Sequence, residues 1–206
     1  TAVQTTATAT NLAAGNYSVH VTDVFGCDTT ETVVITEPSA LTLSASGAAP
    51  LCNGGANGTA TVSVSGGTPG YAFLWGTNAN NQATPTATGL QAGTFTATVT
   101  DNNGCSAQAS TTLIAPAPIT LSAQAPDTVC INSPVQLTAQ TFGGTGTLSV
   151  VWAGIGTGNT IDHTFTASQI VQVSVTDQAG CSSPTLALPV YVLDLQQATL
   201  ITYGDT

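Results

Sequence analysis

Five cysteines at regular intervals are the residues of this chain best placed to do chemistry. Cys27, Cys105 and Cys181 each close a copy of one sequence pattern, and Cys52 and Cys130 lie 78 residues apart. Regular cysteines in a chain this poor in charge indicate disulfide formation in an oxidising, extracellular compartment. A metal site is not expected, because the chain has no Cys-x-x-Cys pair and no clustered histidines.

An aspartate and a glycine precede each cysteine of the first type at fixed spacing. The aspartates are Asp23, Asp101 and Asp177, and the glycines are Gly26, Gly104 and Gly180. A calcium site would need several oxygen ligands converging on one point, whereas an Asx-turn needs one carboxylate that caps backbone N–H groups. The second and third turns hold one carboxylate each, so we expect turn caps and no cofactor, with calcium as the alternative.

Few other side chains are candidates for catalysis or ligand binding. His20 and His163 have no counterparts in the other copies, and an acid–base or triad role needs a positioned partner. We therefore expect exposed strand histidines, no catalytic residue and no enzyme. Trp75 and Trp152 occupy matching positions, which favours a core role over a sugar-stacking platform. The predicted core aromatics are Tyr17, Phe95, Trp75 and Trp152.

These residues belong to an internal repeat. The segments YSVHVTDVFGC (17–27), FTATVTDNNGC (95–105) and VQVSVTDQAGC (171–181) follow one another at intervals of 78 and 76 residues. Each alternates apolar and polar residues, as a half-buried strand does, and Gly, Pro and Asn turns separate the strands without a helical period. The pattern predicts an all-β fold of tandem sandwich modules arranged head to tail.

The repeat divides the chain into three parts. Residues 1–38 are expected to be the C-terminal half of a module, residues 39–118 a complete module, and residues 119–206 a third, divergent one. The end of the third part supplies a final strand and is a candidate for the start of a further repeat. We also expect the sequence to be a fragment of a longer polypeptide.

The middle module resembles the SprB-type repeat of very long cell-surface proteins of Bacteroidetes, including gliding adhesins. The resemblance rests on Cys52, NGTATVSVSGGTPGYAFLW, the Leu-x-Ala-Gly turn and the VTDxxGC hairpin. The third module lacks the GGTPxYxY pattern and is more similar to PKD-like or Ig-like domains. The resemblance implies Ig-like sandwiches, type IX secretion and a surface adhesin, stalk or filament.

Two disulfide schemes remain open. The simpler joins Cys52 to Cys105 and Cys130 to Cys181 within modules, so that Cys27 has its partner upstream of this sequence. Each such bond would close a loop of about fifty residues and contribute about 3 to 4 kcal/mol in the chain-entropy model. We take this scheme as the expectation. In the alternative, bonds join one module to the next, as Cys52 to Cys181 would, because the two cysteines of an Ig-like module would lie at opposite ends.

The composition narrows the class of partner. The chain has no Lys or Arg, ten carboxylates and a formal net charge of −10, which excludes phosphate-backbone binding to nucleic acid. No apolar run is long enough for membrane insertion. We expect contacts with neighbouring repeats of the same chain, self-association into fibres, and contact with surface glycans or other cells. A glycan-binding accessory module and a viral fibre protein are the alternative functions.

Overall fold

The computed structural model describes residues 3–194, and almost all of the regular structure in this range is β-strand. Within the described range, no helix has the length and apolar character needed to cross a bilayer. The further repeat expected near the C-terminus lies outside the described residues. The strands form one hairpin and two pairs of sheets, which are taken here in chain order.

The N-terminal hairpin consists of β1 (Gly15–Thr22) and β2 (Asp28–Ile35). The strands pair antiparallel from Gly15 opposite Ile35 to Thr22 opposite Asp28. Tyr17 is half-buried and donates its hydroxyl to the Ala13 carbonyl at 2.8 Å. Within the described residues, this hairpin is a two-stranded sheet without a second sheet over it.

The middle module is a sandwich of two three-stranded sheets. One sheet has the order β3-β4-β6 and the other the order β5-β7-β8, with a short 3₁₀-helix after β5. The strands are β3 (Thr42–Ala48), β4 (Gly58–Ser65), β5 (Ala72–Trp75), β6 (Thr86–Leu90), β7 (Gly93–Thr100) and β8 (Ser106–Leu113), and the 3₁₀-helix is Thr77–Ala79. Antiparallel pairs of this order, three strands on each side, form the framework of an Ig-like sandwich.

The core of the middle module follows from the alternation in its strands. In β7, Phe95, Ala97 and Val99 are buried while the intervening threonines lie at or near the surface. Trp75 is completely buried and lies opposite Ala97 in the neighbouring strand, where a small residue leaves room for the indole. The apolar face predicted from the sequence is therefore the face that packs against the opposite sheet.

The third module has the same framework with two additional strands. Its sheets have the orders β14-β11-β9 and β10-β16-β15-β12-β13. The strands are β9 (Thr120–Gln124), β10 (Thr128–Cys130), β11 (Pro134–Phe142), β12 (Leu148–Trp152), β13 (Gly156–Thr157), β14 (Thr160–Thr164), β15 (Gln169–Asp177) and β16 (Leu186–Leu193).

The first strand of the third module is split between the two sheets. After β9, the chain crosses to the opposite sheet, where β10 pairs in parallel with β16. The core again takes alternate residues of the long strand, here Val171, Val173 and Val175, which pack around the buried Trp152. Both complete modules are thus Ig-like sandwiches arranged one after the other along the chain.

Candidate functional site: a disulfide junction

A disulfide bond joins Cys52 of the middle module to Cys181 of the third. Cys52 lies in the turn that follows β3, and Cys181 closes the hairpin that follows β15. Their Cα atoms are 5.6 Å apart, which is an ordinary separation for a bridge. Cys27, Cys105 and Cys130 are exposed and unpaired within residues 3–194. The bond is of the intermodule type.

The expected pairing of Cys52 with Cys105 and of Cys130 with Cys181 is therefore wrong, for a geometric reason. In the middle module, Cys105 lies at the end of the sandwich where β3 begins, and Cys52 lies beyond the other end of β3. Seven strand residues span about 20 Å, whereas a bridge requires Cα atoms within about 7 Å. The two cysteines of one module cannot meet, but those of consecutive modules can.

Polar contacts supplement the bond between the modules. The Asn53 side-chain amide donates to the carbonyl of Pro116 in the linker at 3.0 Å. The junction also contains a cleft of about 420 Å³, whose walls include the disulfide, the linker from Pro116 to Ile119, and Pro184. Its lining is mostly small and apolar, and it also includes the carboxylate-bearing Asp177.

A pair of glycines fixes the linker on the third module. Gly144 donates its N–H to Ala117 at 3.0 Å, and both Gly143 and Gly144 have left-handed backbone angles, with φ of 82° and 68°. A Cβ atom on Gly143 would fall on the carbonyl oxygen of Pro118. Only glycine combines this backbone with this close approach.

The same arrangement occurs where the chain enters the middle module. Gly67 donates to Ser39 at 2.8 Å, and a Cβ on Gly66 would fall on the Ala40 carbonyl oxygen. The Gly-Gly-Thr sequences at residues 66–68 and 143–145, 77 residues apart, were the available signal for these positions.

The hairpin aspartates connect the cysteine turn to this Gly-Gly-Thr turn. Asp101 accepts hydrogen bonds from the backbone of Asn103 and Cys105 on one carboxylate oxygen, and from Thr68 N–H on the other at 2.9 Å. The Thr68 N–H has the largest effect on the pKa of Asp101, which is held below its usual value. Burial opposes this shift, while the N–H groups of the hairpin reinforce it.

Asp177 makes the equivalent contacts in the third module. It accepts from Cys181 N–H and from Thr145 N–H, each at 2.8 Å. Burial, which raises the pKa, is the largest single influence on Asp177, but the backbone donors together hold the pKa below its usual value. Both oxygens that a calcium ion would use therefore already accept backbone hydrogen bonds.

The first hairpin has the same turn. Asp23 accepts from Phe25 N–H at 2.8 Å and from Cys27 N–H at 2.9 Å. The glycines of the three turns, Gly26, Gly104 and Gly180, have φ of 86°, 84° and 85°. Cys27, Cys105 and Cys181 thus follow turns that have the same backbone geometry.

The histidines lie apart from the junction. His20 Nε2 forms an exposed hydrogen bond with the Asp28 carboxylate across the first hairpin, at 2.9 Å. The Thr22 hydroxyl lies 3.5 Å from His20 Nδ1, and all three of these hairpin residues are exposed. His163 lies in β14, and its ring makes an edge-on contact with Phe165, with centroids 4.7 Å apart. Within residues 3–194, no three potential metal-ligand side chains converge.

The tryptophans form part of the cores. The indole N–H of Trp75 donates to Thr84, and that of Trp152 donates to Gly158, each at 2.9 Å. Phe95 is also buried, whereas Tyr17 is half-buried. Because the indole faces are covered on both sides, these rings do not form an exposed platform for a sugar.

Comparisons with known proteins identify one repeat type. Residues 49–80 match the SprB repeat model. Similar solved structures include three N-terminal domains of the bacteriophage RB49 highly immunogenic outer capsid protein (20% identity, 74% of this chain, 59% of that chain, TM-score 0.45). Clostridium thermocellum CbhA fibronectin(III)-like modules are similar at 16% identity, over 80% of this chain and 100% of that chain, with a TM-score of 0.38. Eight N-terminal Ig domains of Down Syndrome Cell Adhesion Molecule are similar at 15% identity, over 88% of this chain and 31% of that chain, with a TM-score of 0.31.

The chain spans 59% of the length of the phage structure. No curated protein sequence matches it. The resemblance predicted from NGTATVSVSGGTPGYAFLW is confirmed, since the matched residues contain the whole of that motif. The similarity to the SprB repeat is thus located in the first half of the middle module.

Proposed function

We propose that this chain is a structural segment of a large secreted surface protein, in which rigidly joined modules form a stalk or the building block of an adhesive filament. The observation that carries this proposal is the Cys52–Cys181 bond. A covalent link between consecutive sandwiches, in addition to the peptide linker, fixes the angle between them. Such rigidity is useful to a part that projects or bridges.

The linker supports the same conclusion. Only residues 114–119 separate β8 from β9. The hydrogen bonds of Pro116 to the middle module and of Ala117 to the third hold this segment from both sides. Two modules joined at a bond and along a held linker have little freedom to rotate.

The surface supports association between copies. Charged residues are only 5% of the chain, which keeps the repulsion between neighbouring copies modest although the net charge is −10. Edge strands such as β13 and β14 each have a single hydrogen-bonded neighbour in their sheets, and edge strands present unpaired backbone groups for pairing with another chain. We propose lateral packing of this kind as the route from a single stalk to a fibre.

The first hairpin is proposed as the closing hairpin of a preceding module. Val19 and Val21 occupy the positions of Ala97 and Val99, yet they are 51% and 55% exposed where their counterparts are fully buried. In a complete module, the apolar face of the opposite sheet covers these positions, and a sheet of that kind would bury Val19 and Val21. Residues 39–118 and the chain from residue 119 would then be the two following modules.

Immunogold electron microscopy of producing cells, with antibody raised against the purified chain, tests the proposal. We expect labelled projections on the cell surface, either regular fibres or single strings. Antibody absorbed with the purified chain is the control and should give no label. Label confined to the cell interior would contradict the proposal. Labelled projections that bind a defined glycan and nothing else would favour the alternative function, a glycan-binding accessory module.

A further inference from the structure

We propose that Cys27, Cys105 and Cys130 belong to the same kind of bond as Cys52 and Cys181, so that each turn cysteine pairs with the hairpin cysteine of the following module. The partner surface is another module of this type in the same polypeptide. This inference rests on the proposed function, because it requires an array. Unlike a lone cysteine, each of these has a counterpart in the chain that already forms the bond.

The hairpin cysteines have matching surroundings. In the middle and third modules, the aspartate before the cysteine donates its N–H to the cysteine carbonyl at 2.9 Å, and accepts the cysteine N–H at 2.8 Å. The first hairpin repeats both bonds at 2.9 Å. The backbone at Cys27 and at Cys105 therefore has the same hydrogen bonds as the backbone at Cys181, and both cysteines are exposed.

The turn cysteines also match. Gly55 N–H donates to Cys52 at 3.0 Å, and Ser133 N–H donates to Cys130 at 3.1 Å. The third residue of each turn has a left-handed backbone, with φ of 73° at Gly54 and 60° at Asn132. Asparagine is one of the few residues other than glycine that readily adopts this conformation. The turn that presents Cys52 is thus preserved at Cys130 although its sequence differs.

The route of the chain between modules is preserved as well. Ser39 accepts from the Gly-Gly-Thr turn of the middle module as Ala117 accepts from that of the third. A preceding module would therefore enter near Cys105 as the middle module enters near Cys181. The observed junction then predicts that the turn cysteine of that preceding module lies beside Cys105, as Cys52 lies beside Cys181.

Formation of each bond needs a disulfide oxidant, either a small-molecule disulfide or an oxidoreductase. One cysteine thiolate attacks the oxidant and forms a mixed disulfide, releasing one thiolate of the oxidant. The second cysteine then attacks the sulfur of the first and releases the other oxidant thiolate. Two protein thiols become one disulfide, and the oxidant is reduced to two thiols.

The test uses the full chain with a second copy of residues 114–193 inserted after residue 193, so that the six-residue linker 114–119 is kept at the new junction, refolded in a buffer of oxidised and reduced glutathione. In the parent chain, alkylation should modify Cys27, Cys105 and Cys130. In the duplicated chain, the first copy of Cys130 should become protected and appear by mass spectrometry in a peptide linked to the second copy of Cys181. The number of reactive thiols should stay at three although two cysteines are added.

Serine at the second copy of Cys181 is the matched control and should make the first copy of Cys130 reactive again. Continued reactivity of that Cys130 in a duplicated chain whose β-sheet circular dichroism is intact would overturn the inference. Bonds that join two hairpin cysteines, or two copies of the molecule, would overturn it as well. These outcomes are independent of where the protein resides, so they are distinguishable from failure of the surface-stalk proposal.

Discussion

The carboxylate of Asp177 accepts the backbone N–H of Thr145 at 2.8 Å, and this bond connects the hairpin that carries the intermodule disulfide to the turn that holds the linker. Asp101 and Thr68 repeat it at 2.9 Å. One side chain thereby positions both the covalent and the peptide connection between modules.

The lowered pKa of Asp177 predicts a loss of stability in acid. The folded-state pKa lies below the usual value of 3.8, so the carboxylate stabilises the fold above about pH 4 and this contribution disappears as the pH falls through the folded-state value. Asp177→Asn does not titrate and places an amide near the Thr145 donor. We expect its midpoint of urea unfolding to be lower than that of the parent at pH 7, with the difference closing toward pH 2.

Asp162→Asn is the control for that experiment. Asp162 is exposed on β14 and accepts only a long bond of 3.3 Å from Gln136 among the contacts described. Its substitution should leave the midpoint at pH 7 almost unchanged. A difference between Asp177→Asn and the parent that persists unchanged to pH 2 would show that the carboxylate charge does not stabilise the turn.

Gly143→Ala should weaken the junction more than an alanine at another left-handed glycine. Gly154 has φ of 74° with nothing within 4 Å of an added Cβ, so Gly154→Ala should cost only the backbone penalty, about 1 to 2 kcal/mol. Gly143→Ala incurs that penalty and also displaces the Pro118 carbonyl. Equal losses of unfolding free energy in the two variants would contradict this account of the linker.

Trp75→Phe should destabilise the middle module by about 1 to 3 kcal/mol, because it removes the bond to Thr84 and leaves unfilled volume in a fully buried site. Leu74→Ala is the neighbouring control. Leu74 is 53% exposed on the opposite face of the strand, so its loss should stay within about 0.5 kcal/mol. Guanidinium unfolding followed by Trp152 and Trp75 fluorescence, with circular dichroism for the tryptophan variant, measures both.

Replacing Cys52 and Cys181 together by serine should reduce the free energy of unfolding by about 4 kcal/mol, since the bond restricts the unfolded chain of either module. The control is Cys105→Ser with Cys130→Ser, which removes exposed thiols that are unpaired in this chain and should change little. If both double variants unfold at the same denaturant concentration, the bond does not contribute to the stability of the modules.

The strands were predictable because burial follows local alternation, as Phe95 and Val99 show. The cysteine pairing was not, because it depends on which ends of two sandwiches meet, and a simple scheme from spacing favoured neighbours within a module. The crossing of Thr128–Cys130 to pair with β16 is likewise a non-local event. Gly143 and Gly144 look like any flexible turn until the linker carbonyl against them is known.

The disulfide also determines how tension would travel through the chain. Cys52 and Cys181 are 129 positions apart, so 128 residues lie between them. When the two ends are pulled, force passes through the sulfur atoms and bypasses all of these residues, including nearly the whole core of the middle module. Roughly 450 Å of contour length, at about 3.5 Å per residue, therefore cannot be extended until the bond is reduced. The pair of modules behaves as an almost inextensible link whose compliance is governed by the redox state of its surroundings.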